Sequence, residues 1–162
     1  MDTPSPPPRS FRPTSTTPGV WLRPARNEDY DFLYNLHRLA LGTCISRLWG
    51  WDDARQEERF RQKFDPAKHR VIRFEDEDIG RLDVEDCGDH VKLSYIALLP
   101  GFQHKGIGAD LVRSVVALAH AQDLPVRLQT LRTNPAGPFY ERLGFHVTDR
   151  DSERVYFEAS PH

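Results

Sequence analysis

"LLPGFQHKGIGADLV", residues 98–112, sets two glycines at the head of an apolar-periodic segment. Gly is the poorest ordinary residue for a helix interior, so a pair at a helix start marks backbone that something must approach closely. A helix N-terminus presents unpaired N–H groups and a partial positive charge, which suits a phosphate. Gly106 and Gly108 take side chains away where a pyrophosphate would lie, Gln103 and Lys105 add a donor and a charge, and successive N–H groups can form an anion-binding nest. The pattern Gln-x-x-Gly-x-Gly is neither the G-x-G-x-x-G of dinucleotide-binding folds nor a P-loop, which ends in G-K-[ST]. A tight strand-to-helix turn without a ligand would use the same residues, so the six residues alone leave both readings open.

On either side the chain alternates between strand and helix patterns. "VWLRPA" (20–25) reads as a strand. A helix follows, N-capped by Asn27, with Glu28 and Asp29 suited to its positive end, Leu33, Leu36 and Ala40 at helical spacing, and Gly42 as the stop. "WDDARQEERFRQKFDP" gives a second helix capped by Asp52, with Phe60 and Phe64 on one face and Pro66 beyond its end. "HRVIRFED", "DIGRLDVEDC" and "DHVKLSYIALL" read as an antiparallel meander. The glycine stretch opens a helix to about Ala121. "PVRLQTL" (125–131) is a further strand, "GPFYERLGF" a short helix closed by Gly144, and "FHVTDR" and "RVYFEA" a final hairpin. The order β-α-α-β-β-β-α-β-α-β-β, with no repeat, predicts one α/β or α+β domain with one mixed sheet, one core and helices on both faces.

The 162 residues suffice for one domain with its own core. A formal net charge of −2 gives no general attraction to nucleic acid or to an anionic membrane. No apolar run is long enough for a bilayer, the N-terminus lacks signal-peptide order, and two cysteines make no disulfide framework. A cytoplasmic protein is the expectation. Residues 1–18 are dominated by Pro, Ser and Thr and read as a disordered tail, with the folded domain over 19–162. Cys87 and His90 have C-x-x-H spacing without a second pair, so no metal is expected.

The strand, Pro100, the Gln-x-x-Gly-x-Gly loop and the helix after it resemble the central acyl-CoA motif of the GNAT family, the GCN5-related N-acetyltransferases. "LQTLRTNPAGPFYERLGF" resembles the family's second motif: a strand, an Asn, a short helix bearing a Tyr, then Gly-Phe. With the element order, the resemblance covers about residues 20–159. It implies a mostly antiparallel sheet in which strands 90–99 and 125–131 splay apart at their C-terminal ends, helped by a bulge on the first. Acetyl-CoA is the implied acyl donor. Its pantetheine arm would lie along Ile96, Ala97 and Leu98, and its diphosphate on Gln103, His104, Lys105, Gly106, Ile107 and Gly108, with Asn134, Phe139 and Tyr140 completing the cofactor site. Asn134 would hold pantetheine or cap the helix. A backbone N–H near Ala97 or Leu98 would serve the oxyanion. Tyr140 would protonate the departing sulfur. The spacing from Asn134 to Tyr140 is one residue shorter than the common family spacing.

The implied reaction is acetyl transfer to a primary amine of a small molecule or peptide, with no nucleic-acid or membrane partner and with room for a homodimer. The acceptor would enter through residues 36–60, where Trp49 and Trp51 form an aromatic wall and Glu57 reads a cationic amine. Those tryptophans would equally plug the core beneath the loop. The general base is open among Ser94, Tyr95, Glu75, Asp83 and Glu85, with a water chain as the rival. A non-catalytic CoA-binding module is the alternative, and release of free CoA with an offered amine separates the two.

Overall fold

The computed structural model describes residues 11–162. One seven-stranded sheet has the order β1-β2-β3-β4-β5-β7-β6. The strands are β1 (Val20–Pro24), β2 (Arg70–Phe74), β3 (Glu77–Asp86), β4 (Val91–Leu98), β5 (Val126–Leu131), β6 (His146–Arg150) and β7 (Arg154–Ala159). All neighbours pair antiparallel except β4 and β5. The helices are α1 (Tyr30–Trp49), α2 (Asp53–Lys63), α3 (Ile107–His120) and α4 (Gly137–Arg142). The expected element order is present throughout.

Successive strand residues point to opposite faces, and here they feed two apolar clusters rather than the single core expected. Val71 and Ala97 join Leu33 and Leu36 of α1 and Phe60 of α2. Their neighbours Ile72 and Leu98 join Leu111, Val112 and Val115 of α3, with Tyr140, Phe145 and Phe157. So α1 and α2 cover one face of the sheet, and α3 and α4 the other.

Two expected boundaries move. Asn27–Asp29 form a single 3-10 turn ahead of α1, and Asp29 takes two hydrogen bonds from the Arg23 guanidinium, both at 2.8 Å. The helix then runs through Gly42, because Cys44 and Ile45 on its last turns are buried. It stops at Gly50, whose φ of 78° an L side chain rarely adopts. The Thr133 hydroxyl donates to the Cys44 carbonyl at 2.6 Å, which ties this last part of α1 to the loop after β5.

The expected N-terminal tail divides. Residues 1–10 lie outside the described residues. Residues 11–17 are docked: Phe11 is 5% exposed within the α3-side core, and its carbonyl accepts from Arg70 at 2.7 Å. The Thr14 N–H donates to the Ser114 hydroxyl at 2.9 Å. Asp110, in the first turn of α3, accepts from the Ser15 hydroxyl and the Thr16 N–H at 2.6 Å, and from the Thr16 hydroxyl at 2.9 Å. A Pro/Ser/Thr-rich composition conceals one well-placed aromatic side chain and a run of short donors that matches a single carboxylate.

Candidate active site

β4 and β5 pair only at Val91–Val126 and Lys92–Arg127. Beyond those pairs β5 turns toward β7 and β4 stays with β3, so a cleft opens between them, as expected. Tyr95 lies opposite Asp83, and the next pair is Leu93 with Val84. Ser94 therefore has no partner and forms a bulge. The bulge precedes Ala97 and Leu98, where the oxyanion donor was expected. The cleft encloses about 210 Å³ between Leu93–Ile96 on one side and Leu128–Leu131 on the other, with Leu41 of α1, Asn134, Tyr140 and Arg154 also on its walls.

The glycine loop lies at the C-terminal end of β4. Gln103 does not point outward as a free donor, because its side-chain amide donates to the Leu98 carbonyl at 2.9 Å and braces the turn. His104 (φ 61°) and Gly106 (φ 84°) are left-handed, and Gly106 caps α3. Among the described residues, no backbone carbonyl accepts from the N–H groups of His104 or Gly106. The ammonium of Lys105 lies 5.8 Å from the Phe102 ring centre. Gly108 differs from Gly106. Its φ is not left-handed, and a Cβ there would meet only Leu98 and Phe139 atoms at 3.8 Å, an ordinary contact. Neither backbone strain nor packing requires glycine at that point.

Tyr140 packs against Phe139, Phe145 and Phe157 and lines the cleft. Its residue is 8% exposed, and burial pushes the phenol up to about 12. Asn134 accepts from the Ala136 N–H at 3.0 Å and so holds the approach to α4, while also lining the cleft. That bond is an Asx turn ahead of the helix: the N-cap of α4 is Ala136, and no side chain caps it, so the expected capping by Asn134 is not what the structure has. Pro138 sits in the first turn of α4, after Gly137.

Behind the cleft lies a polar cluster that the sequence did not announce. Arg81 stacks its guanidinium 4.0 Å from the Tyr95 ring centre and grips Asp83 with a 2.6 Å bond. Asp83 also meets His69 Nδ1 at 3.0 Å. His37 of α1 faces the Tyr95 hydroxyl at 3.4 Å. Burial, then the Arg81 charge, brings its imidazole down to about 4. Burial raises the Tyr95 phenol well above its usual range. Both groups are therefore neutral at pH 7. Alternation alone could have marked Arg81 and Asp83 as inward charges on β3, but nothing in α1 distinguished His37 from a surface histidine. Of the candidate bases, Ser94 and Tyr95 line the cleft, Asp83 is committed to Arg81 and His69, and Glu75 and Glu85 are exposed residues outside it.

Trp49 and Trp51 line a second cavity of about 560 Å³, formed with Asp52, Arg55, Gln56 and Arg59 of the α2 region and with Glu153 and Arg154. Arg154 lines both cavities, so the two adjoin at its side chain. Glu57 is not brought to that wall; it pairs with Arg61 at 3.1 Å on α2. Among the described residues there is no group of three or more His, Cys, Asp or Glu arranged to hold a metal, and no helix is long and apolar enough to cross a membrane.

No curated protein matches the chain significantly. Solved structures do. The PaiA N-acetyltransferase of Thermoplasma acidophilum, in complex with coenzyme A, is 20% identical, with 87% of this chain and 98% of that one covered and a TM-score of 0.71. Naa50 of Arabidopsis thaliana, in complex with the bisubstrate analogue CoA-Ac-MVNAL, is 16% identical over 88% and 99% of the two chains, with a TM-score of 0.60. The ribosomal-protein-S18-alanine N-acetyltransferase of Escherichia coli is 15% identical over 87% and 93%, with a TM-score of 0.63. At such identities the likeness is one of fold. The sequence evidence is separate: the model of the acetyltransferase (GNAT) domain matches residues 65–147, which hold the meander, the glycine loop and the Tyr140 helix. The chain belongs to the GNAT acetyltransferase family and is an acyltransferase of that family.

Proposed function

We propose that this enzyme transfers an acetyl group from acetyl-CoA to a primary amine of a small molecule or peptide by direct attack on the thioester. Gly108 carries the reading: the protein itself leaves room for a Cβ there, so the missing side chain is explained by a ligand. A diphosphate against the amides of residues 103–108, beside Lys105 and His104 and over Ile107, supplies one. The pantetheine arm then follows the β4 edge at Ile96, Ala97 and Leu98, which β5 leaves unpaired, and passes Asn134 and Phe139.

Acetyl-CoA brings an acyl group already activated as a thioester, and positioning in a closed cleft supplies much of the rate. The bulged strand at Ser94 and Tyr95 borders the acceptor end. Tyr140 holds its proton on Oη throughout the neutral range, because burial has raised its pKa to about 12. A thiol lies near 8.5, so complete proton transfer from this phenol is uphill, and Tyr140 acts by donating a hydrogen bond to the departing sulfur. The attacking amine must be neutral. His37, down at about 4, is too weak a base to strip an ammonium, so that proton leaves through water.

The test is release of free CoA across a panel of amines, alongside a thermal shift with acetyl-CoA. Native-state binding should raise Tm. Gly108→Val should abolish the shift while the variant stays folded. Tyr140→Phe, which keeps the ring and removes the hydroxyl, should lower kcat and kcat/KM together by about 10-fold or more. A Gly108→Val variant stabilised by acetyl-CoA as strongly as the parent overturns the loop assignment. A Tyr140→Phe variant with the parent rate removes that hydroxyl from the mechanism.

A further inference from the structure

The cavity that adjoins the cleft at Arg154 carries the opposite charge from the one the sequence suggested. Arg55 and Arg59 stand one helical turn apart on α2 and both line it, facing Arg154 from β7. Two acids share the cavity, and each is already engaged. Asp52 accepts from the Arg55 N–H at 3.0 Å as the N-cap of α2. Glu153 pairs with Arg154 at 3.1 Å. Among the described residues, neither the Arg55 nor the Arg59 guanidinium has a side-chain acid within 4.0 Å. Trp49, 44% exposed, gives the same cavity an apolar wall and lies 5.7 Å from the Arg154 guanidinium. Glu57, the residue suited to reading a cation, faces Arg61 instead.

From this we infer that the acceptor is an amine that also carries a carboxylate, bound with its amine in the β4–β5 cleft and its carboxylate on Arg55 and Arg59. The inference rests on the acetyl-transfer reading above and names the acceptor class for that site. Arginine forks match a carboxylate in two-point geometry. The Trp49 face takes the hydrocarbon between the two ends. A purely cationic acceptor, such as a diamine, meets the unpaired guanidinium groups of Arg55 and Arg59 and is disfavoured. A cavity of about 560 Å³ is of small-molecule size. The charge pattern favours an amino acid with some separation between its ends, because the amine must pass Arg154 to reach the cleft.

The experiment compares matched pairs, each acid against its own amide: glycine, β-alanine, 4-aminobutyrate and 6-aminohexanoate. For every pair both CoA release and binding to the CoA-loaded enzyme are measured. The acid of at least one pair should exceed its amide in kcat/KM by on the order of 10–100-fold, the range for charge-assisted hydrogen bonds, with the difference in KM. In Arg55→Gln/Arg59→Gln that ratio should collapse toward one. In Arg55→Glu/Arg59→Glu it should fall below one, in favour of the amides. Arg61→Gln, on the same helix but outside the cavity, should keep the parent ratio. Acids and amides used equally well, an acid preference that survives Arg55→Gln/Arg59→Gln, or no acid bound or turned over at all would each overturn the inference. An enzyme that binds the acids through Arg55 and Arg59 but releases no CoA with any amine sinks acetyl transfer instead, and leaves the assignment of Arg55 and Arg59 standing.

Discussion

His37 shows how one side chain can store a pH dependence. It sits against Trp51, Phe60 and Tyr95, and the groups acting on it are Gln56 and Lys63 from α2 and Arg81 from β3. Burial first, then Arg81, brings it from 6.5 to about 4. Between those values the unfolded chain binds a proton that the folded chain refuses. Stability therefore rises with pH across that window. The contribution is whole above about pH 6.5 and is lost as pH falls through about 4, with a ceiling of about 3 kcal/mol. His37→Phe keeps a ring in the site and removes the titration. Denaturant unfolding at steps from pH 7 to pH 4 should show the parent losing more stability than the variant, and parallel curves would mean that folding leaves the proton affinity of His37 unchanged. Residue identity was legible in the sequence where a motif fixed it, as at Gly106, Gly108 and Tyr140. His37, Arg55, Arg59 and Arg154 were not legible, because their significance depends on which groups α1, α2 and β7 bring together from distant parts of the chain.

At the scale of elements, the start of α3 does two jobs. Its first turn borders the glycine loop, and Asp110 in that turn anchors residues 15–17. Burial alone would raise the Asp110 pKa, but the hydrogen bonds from Ser15, Thr16 and Thr17 outweigh it and hold the carboxyl below its usual value. A depressed carboxyl gives stability above the unfolded value of about 3.9 that is lost as pH falls through the folded one. Asp110→Ala should thus move the Thr16 and Thr17 amide resonances to unstructured positions at neutral pH. The parent should reach the same positions only in acid, below about pH 4, and resonances unmoved in the variant would place the anchor elsewhere, at Phe11 and Arg70. Element type was legible wherever periodicity was long. The end of α1 was misplaced because Gly42 looks like a stop, whereas burial of Cys44 and Ile45 beyond it outweighs the roughly 1 kcal/mol that a helix-interior Gly costs. Residues 11–17 were misread because composition does not register one buried Phe.

For the molecule as a whole, the sequence showed the order of elements along the chain, and the family motifs the diverging strands, but not the spatial order of the strands in the sheet. The sequence did not reveal the division of the apolar residues into two clusters, because strand patterns buried on both faces do not say which helix covers which side. That division follows from strand parity at Val71–Ile72 and Ala97–Leu98. The two-pair contact between β4 and β5 has a mechanical consequence. A plate notched along its bonding direction carries its load at the notch root, and here the root is Val91–Val126 with Lys92–Arg127. On one side stands a half-sheet of four strands, on the other a half-sheet of three, and a substrate lying in the notch is a splint between them. Hydrogen exchange should register this as slower opening of the root amides when acetyl-CoA is bound, with the amides between β2 and β3 little changed. Equal slowing everywhere would mean that the halves open only when the whole molecule unfolds. If the root alone responds, the enzyme is stiffest when loaded, and departure of CoA restores the give that lets the next molecule in.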